Sequence, residues 1–323
     1  MPPSTRFSVK MRAPEFWSRD SAAAQLLTPL GALYGLSVAW KARHARPYRA
    51  AARVICVGNL TAGGSGKTPI ALAIGAKLKT KGQNVFFLTR GYGGSETGPV
   101  EVKANDSAER VGDEALLLAQ MAPSIVARDR AKGARLATAR GAGVIVMDDG
   151  HQNFALAKDL SLVVVDGETG FGNGRMIPAG PLREGVRQGL DRADAVIVVG
   201  HGEPNFGSFI GPVLRARLIA DDMTLRDRPV FAFAGIGRPD KFVATLEATG
   251  AIVTGAQFFA DHYPFRHGEL AALKARAGGA QLVTTEKDFV RLKRQDRAGI
   301  AVLKVRAEFE EPATLDNLLD RIA

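Results

Sequence analysis

Apolar residues along this chain gather in short, β-branched runs, and the runs alternate with stretches of helical periodicity. The runs at 53–58, 84–89, 124–127, 144–148, 161–166 and 195–199 predict strands, and the stretches at 67–81, 112–121, 129–141 and 184–192 predict helices. Such alternation implies an α/β fold: a mostly parallel sheet with helices on both faces and ligands at the carboxyl ends of its strands. Around 212–229 the pattern changes. Val213-Leu214-Arg215-Ala216-Arg217-Leu218 alternates like an exposed strand, and Asp221, Asp222, Asp227 and Pro229 follow, which places a linker there. A second, smaller alternating unit comes next, with strands at 230–234, 251–256, 281–285 and 300–305 and helices at 238–249, 267–277 and 286–294. The expected plan is an N-terminal helical segment over 1–50, a core over 51–211, a linker over 212–229 and a smaller α/β domain over 230–323.

Residues 21–40 carry no charge, and Lys41, Arg43, His44, Arg46 and Arg49 follow at once. The length approaches a membrane span, but Gln25, Thr28, Pro29, Ser37 and two glycines interrupt it. At helical spacing Leu26, Leu27, Leu30, Leu33 and Tyr34 share one face, while Gln25, Thr28, Ala32, Gly35 and Ala39 form a smaller, more polar one. The pattern suits an amphipathic helix lying at an anionic membrane surface through residues 21–49, with Trp40 at the boundary. It equally suits a helix packed on the protein's own core.

The first predicted strand runs into Gly58-Asn59-Leu60-Thr61-Ala62-Gly63-Gly64-Ser65-Gly66-Lys67-Thr68-Pro69. A glycine-rich loop between a strand and a helix, closing on Gly-Lys-Thr, lets backbone N–H groups wrap phosphates. Lysine then reaches the outer phosphates and threonine can ligate Mg²⁺. The strict pattern asks for glycine where this chain has Thr61, so the loop is a variant. The core is therefore expected to be of the P-loop NTPase type, with Thr61, Gly63, Gly64, Ser65, Gly66, Lys67 and Thr68 around ATP.

Val144-Ile145-Val146-Met147-Asp148-Asp149-Gly150 is an apolar strand ending in carboxylates, a pattern that supplies an aspartate to Mg²⁺ beside such a loop. Asp113 opens a predicted helix, where acids are common and the dipole favours them, and from the residues alone reads as its cap. Arg90, at the tip of a strand before Gly91-Tyr92-Gly93-Gly94, begins a loop expected to be flexible. The glycine-rich, basic stretch 170–184 reads as a substrate loop or lid. His262 lies at a strand-to-loop transition, and Thr285-Glu286-Lys287-Asp288 reads as a helix start capped by Thr285.

Of the 323 residues, 46% are hydrophobic and 24% charged, ordinary globular material. The single cysteine, Cys56, sits inside an apolar strand, which fits a reducing compartment. The net charge of +10 points to an anionic partner. No helix-turn-helix, zinc or RNA-binding signature accompanies it, which argues against nucleic acid.

In this order, Pro29-Leu30-Gly31-Ala32-Leu33-Tyr34-Gly35, the 58–69 loop, Thr89-Arg90-Gly91-Tyr92-Gly93, Val111-Gly112-Asp113-Glu114, Asp148-Asp149-Gly150, Pro178–Glu184, Asp261-His262-Tyr263-Pro264-Phe265 and Thr285-Glu286-Lys287-Asp288 resemble the tetraacyldisaccharide 4′-kinase family of lipid A biosynthesis. The resemblance implies a kinase at the cytoplasmic face of the bacterial inner membrane, peripheral or monotopic, that phosphorylates an acylated disaccharide 1-phosphate from ATP with Mg²⁺. It implies that Lys67 steadies the β- and γ-phosphates, that Thr68, Asp148 and Asp149 serve the metal, and that Asp113 is the base. His262 would be the partner of Asp113 across a domain cleft, and Arg90, Arg183 and Glu184 would line the site. One departure is clear. The family commonly has Asp-Asp-Gly-x-Gln-His, whereas this chain has Asn153 at the histidine's place and His151 two positions earlier. The competing class is a membrane-surface P-loop ATPase acting as a switch. Such loops often carry an extra lysine where this chain has Ala62.

Overall fold

The computed structural model describes residues 14–221 and 224–322, so the opening of the expected N-terminal segment and Asp222 lie outside them. Two compact units are present: a larger one that runs to Leu218 and resumes at Arg306, and a smaller one, Ile219–Val305.

The chain begins with α1 (Ala22–His44), whose N-cap Ser21 accepts a hydrogen bond from the Ala24 N–H. The elements that follow are β1 (Arg53–Gly58), α2 (Lys67–Thr80), β2 (Val85–Thr89), β3 (Val100–Glu101), α3 (Ala108–Val111), α4 (Asp113–Ala119), β4 (Ser124–Val126), α5 (Arg130–Ala139), β5 (Val144–Asp148), β6 (Leu160–Asp166), α6 (Val186–Leu190), β7 (Ala195–Val199) and β8 (Val213–Ala220). The smaller unit contributes β9 (Pro229–Ala234), α7 (Pro239–Ala248), β10 (Ile252–Phe258), α8 (His267–Ala277), β11 (Gln281–Thr285), α9 (Glu286–Arg291) and β12 (Ile300–Leu303). The chain closes with β13 (Val305–Phe309) and α10 (Pro312–Asp320).

The larger sheet has the order β13-β8-β7-β6-β1-β5-β2-β4-β3, parallel from β8 to β4, with β3 antiparallel at the edge. Central β1 pairs with β6 on one side and β5 on the other, so the carboxyl ends carrying Gly58 and Asp148 lie side by side. Its side chains alternate between two cores. Ile55 and Val57 join Ile70 and Ile74 of α2, while Val54 and Cys56 join Ala134 and Ala137 of α5. A sheet covered on both faces needs strands with no polar alternate, which is why these runs read so plainly in sequence. The smaller unit is a parallel sheet of order β10-β9-β11-β12.

Three expectations change. The segment 212–229 is not linker throughout, because residues 213–220 form β8 of the larger sheet. The range 230–323 does not stay with the smaller unit: from Arg306 the chain belongs to the larger one, where Leu315, Leu318 and Leu319 of α10 are buried in the core with Ile70 and Ile74. Amphipathic α10 has its apolar partner there, and burial of three leucines decides its place. The helix expected over 184–192 is only Val186–Leu190, since the Arg183 N–H is bonded to the Leu60 carbonyl at 2.8 Å and the chain is still extended.

Candidate active site

The loop after β1 ends at Gly66, in the left-handed conformation, and α2 begins at Lys67. Its N-terminus presents unpaired N–H groups and a positive dipole end. Lys67 and Thr68 on its first turn meet the two acids at the end of β5. The Thr68 hydroxyl donates to Asp148 Oδ2 at 2.9 Å, and Lys67 Nζ lies 3.5 Å from Asp149 Oδ1. Arg183 Nη1 donates to the same Asp149 oxygen at 2.8 Å. The stretch carrying Arg183 is tied to the loop by a bridge between Thr61 and Leu182 and by the Ala62 N–H to the Pro181 carbonyl, 2.7 Å.

The adjacent carboxylates titrate in opposite directions. Asp148 is 1% exposed, and burial, reinforced by the Glu114 carboxylate, pushes its carboxyl well above the usual range. Burial pushes Asp149 the same way, but Lys67 and Arg183 outweigh it and hold the group below its ordinary value. Asp148 Oδ1 is buried with no hydrogen-bond partner. An orphaned, desolvated carboxylate oxygen beside a threonine hydroxyl suits a hard cation that takes oxygen ligands. No group of three or more His, Cys, Asp or Glu side chains is placed to hold a metal among the described residues, so a cation here would complete its shell with phosphate and water.

Asp113 is the first residue of α4 and is 2% exposed. It is not the cap, a place taken by Gly112; its Oδ1 accepts the next N–H, that of Glu114, at 2.9 Å. The loop 91–94, expected to be flexible, is packed onto this turn instead. A Cβ on Gly94 would lie 2.7 Å from the Arg110 carbonyl oxygen, and one on Gly112 would lie 2.6 Å from the Tyr92 carbonyl oxygen. Ser95 and Glu96 donate backbone hydrogen bonds to Glu109 and Arg110. These glycines permit backbone-to-backbone contact that fixes the turn before Asp113. Arg90 stands exposed at the end of β2.

Glu184 lies deeper, 4% exposed, accepting from Gln152 Nε2 at 2.8 Å and from Arg192 at 2.5 Å. Gln152 also donates to the Asn59 carbonyl at 2.8 Å, joining the turn after Asp149 to the loop after β1. His151 points into the interior, fully buried, with Nε2 donating to the Gly189 carbonyl at 2.9 Å and Nδ1 facing the Ser161 hydroxyl at 3.2 Å. Both of its ring nitrogens are thus engaged inside the core. Asn153 Oδ1 accepts the Ala155 N–H at 3.2 Å and shapes its own turn.

Sequence reasoning missed Arg130, the first residue of α5. It is 3% exposed, donates to the Ala127 carbonyl, and has a buried Nε without a partner. Burial lowers it to about 10, against the pull of Asp149, so it stays charged at neutral pH. Arg128-Asp129-Arg130 directly after β4 was the available signal, because ligands gather at that end of a parallel sheet.

His262 belongs to the smaller unit, at the turn after β10. Thr285 caps α9 as expected, but Asp288 is more than part of a cap: its carboxylate is fully buried and also receives the Gly235 N–H and Arg291.

A family model described as Tetraacyldisaccharide-1-P 4′-kinase (LpxK) matches residues 23–323. The chain belongs to this family. A tetraacyldisaccharide 4′-kinase of Paramagnetospirillum magneticum is 51% identical over 97% of this chain and 99% of its own length, and one from Rhodospirillum rubrum is 51% identical over 97% and 98%. A solved structure, described as the "apo" form of LpxK from Aquifex aeolicus in complex with ATP, superposes with a TM-score of 0.78 at 27% identity, covering 93% of this chain and 99% of that one. Family membership and the sheet with its phosphate loop thus agree with the fold read from sequence.

Proposed function

We propose that this chain transfers the γ-phosphate of ATP to the 4′-hydroxyl of a tetraacyldisaccharide 1-phosphate at a membrane surface. The observation that carries the reading is the pairing of Lys67 with Asp149 and Thr68 with Asp148 at the head of α2, in a chain of the 4′-kinase family. In this reading the loop 61–68 wraps the phosphates and Lys67 exchanges Asp149 for the β- and γ-phosphate oxygens. Thr68 and Asp148, with Asp149 beside them, would hold Mg²⁺, which when bound would supply neutralisation of phosphate charge. Asp113 accepts the proton of the 4′-hydroxyl as its oxygen bonds to the γ-phosphorus and the bond to the ADP oxygen breaks. Arg183, Arg130 and Arg90 keep the carboxyl end of the sheet positive for the anionic reactants, with Glu184 buried behind as support. His262 is assigned to the same reaction.

The acceptor is a lipid, and α1 suits that requirement. Leu26, Leu30, Leu33, Leu36 and Trp40 are exposed along it, and the cluster Lys41, Arg43, His44, Arg46 and Arg49 follows. An exposed apolar face beside cations suits an anionic leaflet, here the cytoplasmic face of the inner membrane.

The test is transfer of label from γ-³²P-ATP to the disaccharide lipid in detergent micelles. Wild type is expected to label the lipid and Lys67→Ala is not. Asp113→Ala should bind ATP normally and lose about 10²- to 10⁴-fold in transfer. Hydrolysis of ATP with no labelled lipid would overturn the reading in favour of a nucleotide-driven switch.

A further inference from the structure

We infer that Gln152 is a positioning residue: its amide locks the phosphate loop to the acid turn and to the Arg183–Glu184 stretch, and the affinity of the loop for ATP depends on that lock. The inference deepens the phosphoryl-transfer reading and rests on it for its effect on turnover.

All three segments lie in the larger unit. The loop opens at Asn59, fully buried, directly after β1. Its first residues pair with the 181–184 stretch in the manner of a short ladder. The Arg183 N–H donates to the Leu60 carbonyl at 2.8 Å, and the Ala62 N–H to the Pro181 carbonyl at 2.7 Å. At Asn59 a side chain takes over from the backbone. Gln152 Nε2 donates to the Asn59 carbonyl at 2.8 Å and to Glu184 Oε1 at 2.8 Å. A primary amide has two N–H donors, and here one goes to each side of the ladder. The other Glu184 oxygen accepts from Arg192 at 2.5 Å, which fixes the carboxylate from behind.

The donor is itself held. The Asp149 N–H is bonded to the Val57 carbonyl and the Asn153 N–H to the Gly150 carbonyl, both at 2.9 Å. A Cβ on Gly58 would lie 2.6 Å from the His151 Cβ, so the turn carrying Gln152 rests on the backbone that opens the loop. On the loop side, Asn59 Nδ2 donates to the buried Ser65 Oγ at 3.0 Å. Asn59 is thus tied by its carbonyl to Gln152 and by its side chain to the far limb of the loop, next to Gly66 and Lys67. A shift at the Asn59 carbonyl is passed to the limb from which α2 starts. Backbone N–H groups bind phosphate well only when they are held in place beforehand. Gln152 acts through Asn59 and not on a reactant.

The test is binding of ATP with Mg²⁺ to the full chain in detergent micelles, read by calorimetry without acceptor, beside transfer kinetics and thermal unfolding. Gln152→Met keeps the length of the side chain and removes both donors. It should weaken ATP binding about tenfold and lower kcat/KM for ATP about 10²-fold, with KM for the lipid held. Unchanged ATP affinity, whatever the loss of thermal stability, would overturn the inference. Gln152→Glu combined with Glu184→Gln reverses donor and acceptor between these two residues and leaves the Asn59 carbonyl without its donor. The pair should recover the thermal stability lost in Gln152→Glu alone and keep the weak ATP binding. Recovery of both would show that the Asn59 bond does not position the loop, and this arm decides the matter if Gln152→Met does not fold. Binding is read without acceptor, so an absence of labelled lipid from wild type would sink the transfer reading while ATP affinity still decides the role of Gln152.

Discussion

Asp148 and Asp149 share one turn, and yet burial dominates the first while Lys67 and Arg183 dominate the second. Two residues further, His151 is governed chiefly by burial, in the other direction. Desolvation, with Lys158 and Arg192 adding their charge, pushes its imidazole from 6.5 down to about 3. The unfolded chain takes up a proton below about pH 6.5 that the folded chain refuses, so this contribution is complete above that pH. It falls by about 1.4 kcal/mol per unit as the pH drops toward 3. The raised Asp148 carboxyl has the opposite slope over part of the same range, so the comparison must be between variants. His151→Gln should flatten the acid limb relative to wild type; urea unfolding at about pH 7 and about pH 5 measures it. Equal slopes in both proteins would show that His151 is not held neutral. At this scale Lys67, Thr68, Asp148 and Asp149 were legible because a contiguous motif carries them. Arg130 and Gln152 were not, because their partners come from other strands.

Helix α1 shows what one element owes to its surroundings. Its periodicity in sequence left membrane contact and core packing equally open. The structure separates the two faces: one is packed and the other exposed. Ala24 and Gly31 are buried, and Cβ atoms on Gly31 and Gly35 would meet Met176 at 2.8 Å and 2.3 Å. Arg175 reaches across to Asp20 at 3.0 Å and to the Thr28 hydroxyl at 2.5 Å. The small face thus docks on the 170–184 stretch, read from sequence as a substrate loop or lid, which carries α1 at one end and Arg183 at the other. The leucine face stays exposed, Leu26 at 81% and Leu33 at 64%. Of the described residues, α1 alone forms a helix long and apolar enough to cross a bilayer. Changing Leu26, Leu30 and Leu33 to Gln should leave ATP binding intact and weaken co-sedimentation with anionic vesicles at least tenfold, given about 1.5–3 kcal/mol for each leucine that would be buried. Unchanged sedimentation would rule out that face. Gly35→Leu has a different expected outcome: it displaces Met176 and should lower lipid phosphorylation with vesicle binding retained.

For the molecule as a whole, the return of the chain after the smaller unit matters most. Residues 306–322 bring β13 to the sheet edge beside β8 and seal α10 over α2, where Lys77 pairs with Asp316 at 2.6 Å. The smaller unit is therefore inserted into the larger and is not appended to it. Leu318→Ala should lower the stability of the larger unit by about 2–5 kcal/mol through the cavity it opens. Thermal unfolding with ATP present and absent reads this out. A change within error would show that α10 contributes little to that core.

Local pattern was enough for the strands, since strands covered on both faces must be apolar throughout, and for the phosphate loop and its acids, since their chemistry is written in consecutive residues. It also located two alternating units and an amphipathic first helix. Only the tertiary structure decided which face of α1 is packed, that β8 and α10 complete the larger unit, and that His151 is a core residue. It alone joined Gln152 to Asn59 and to Glu184. Each of these depends on contacts between residues distant in the chain, and burial and charge at such contacts are set by what the fold brings together.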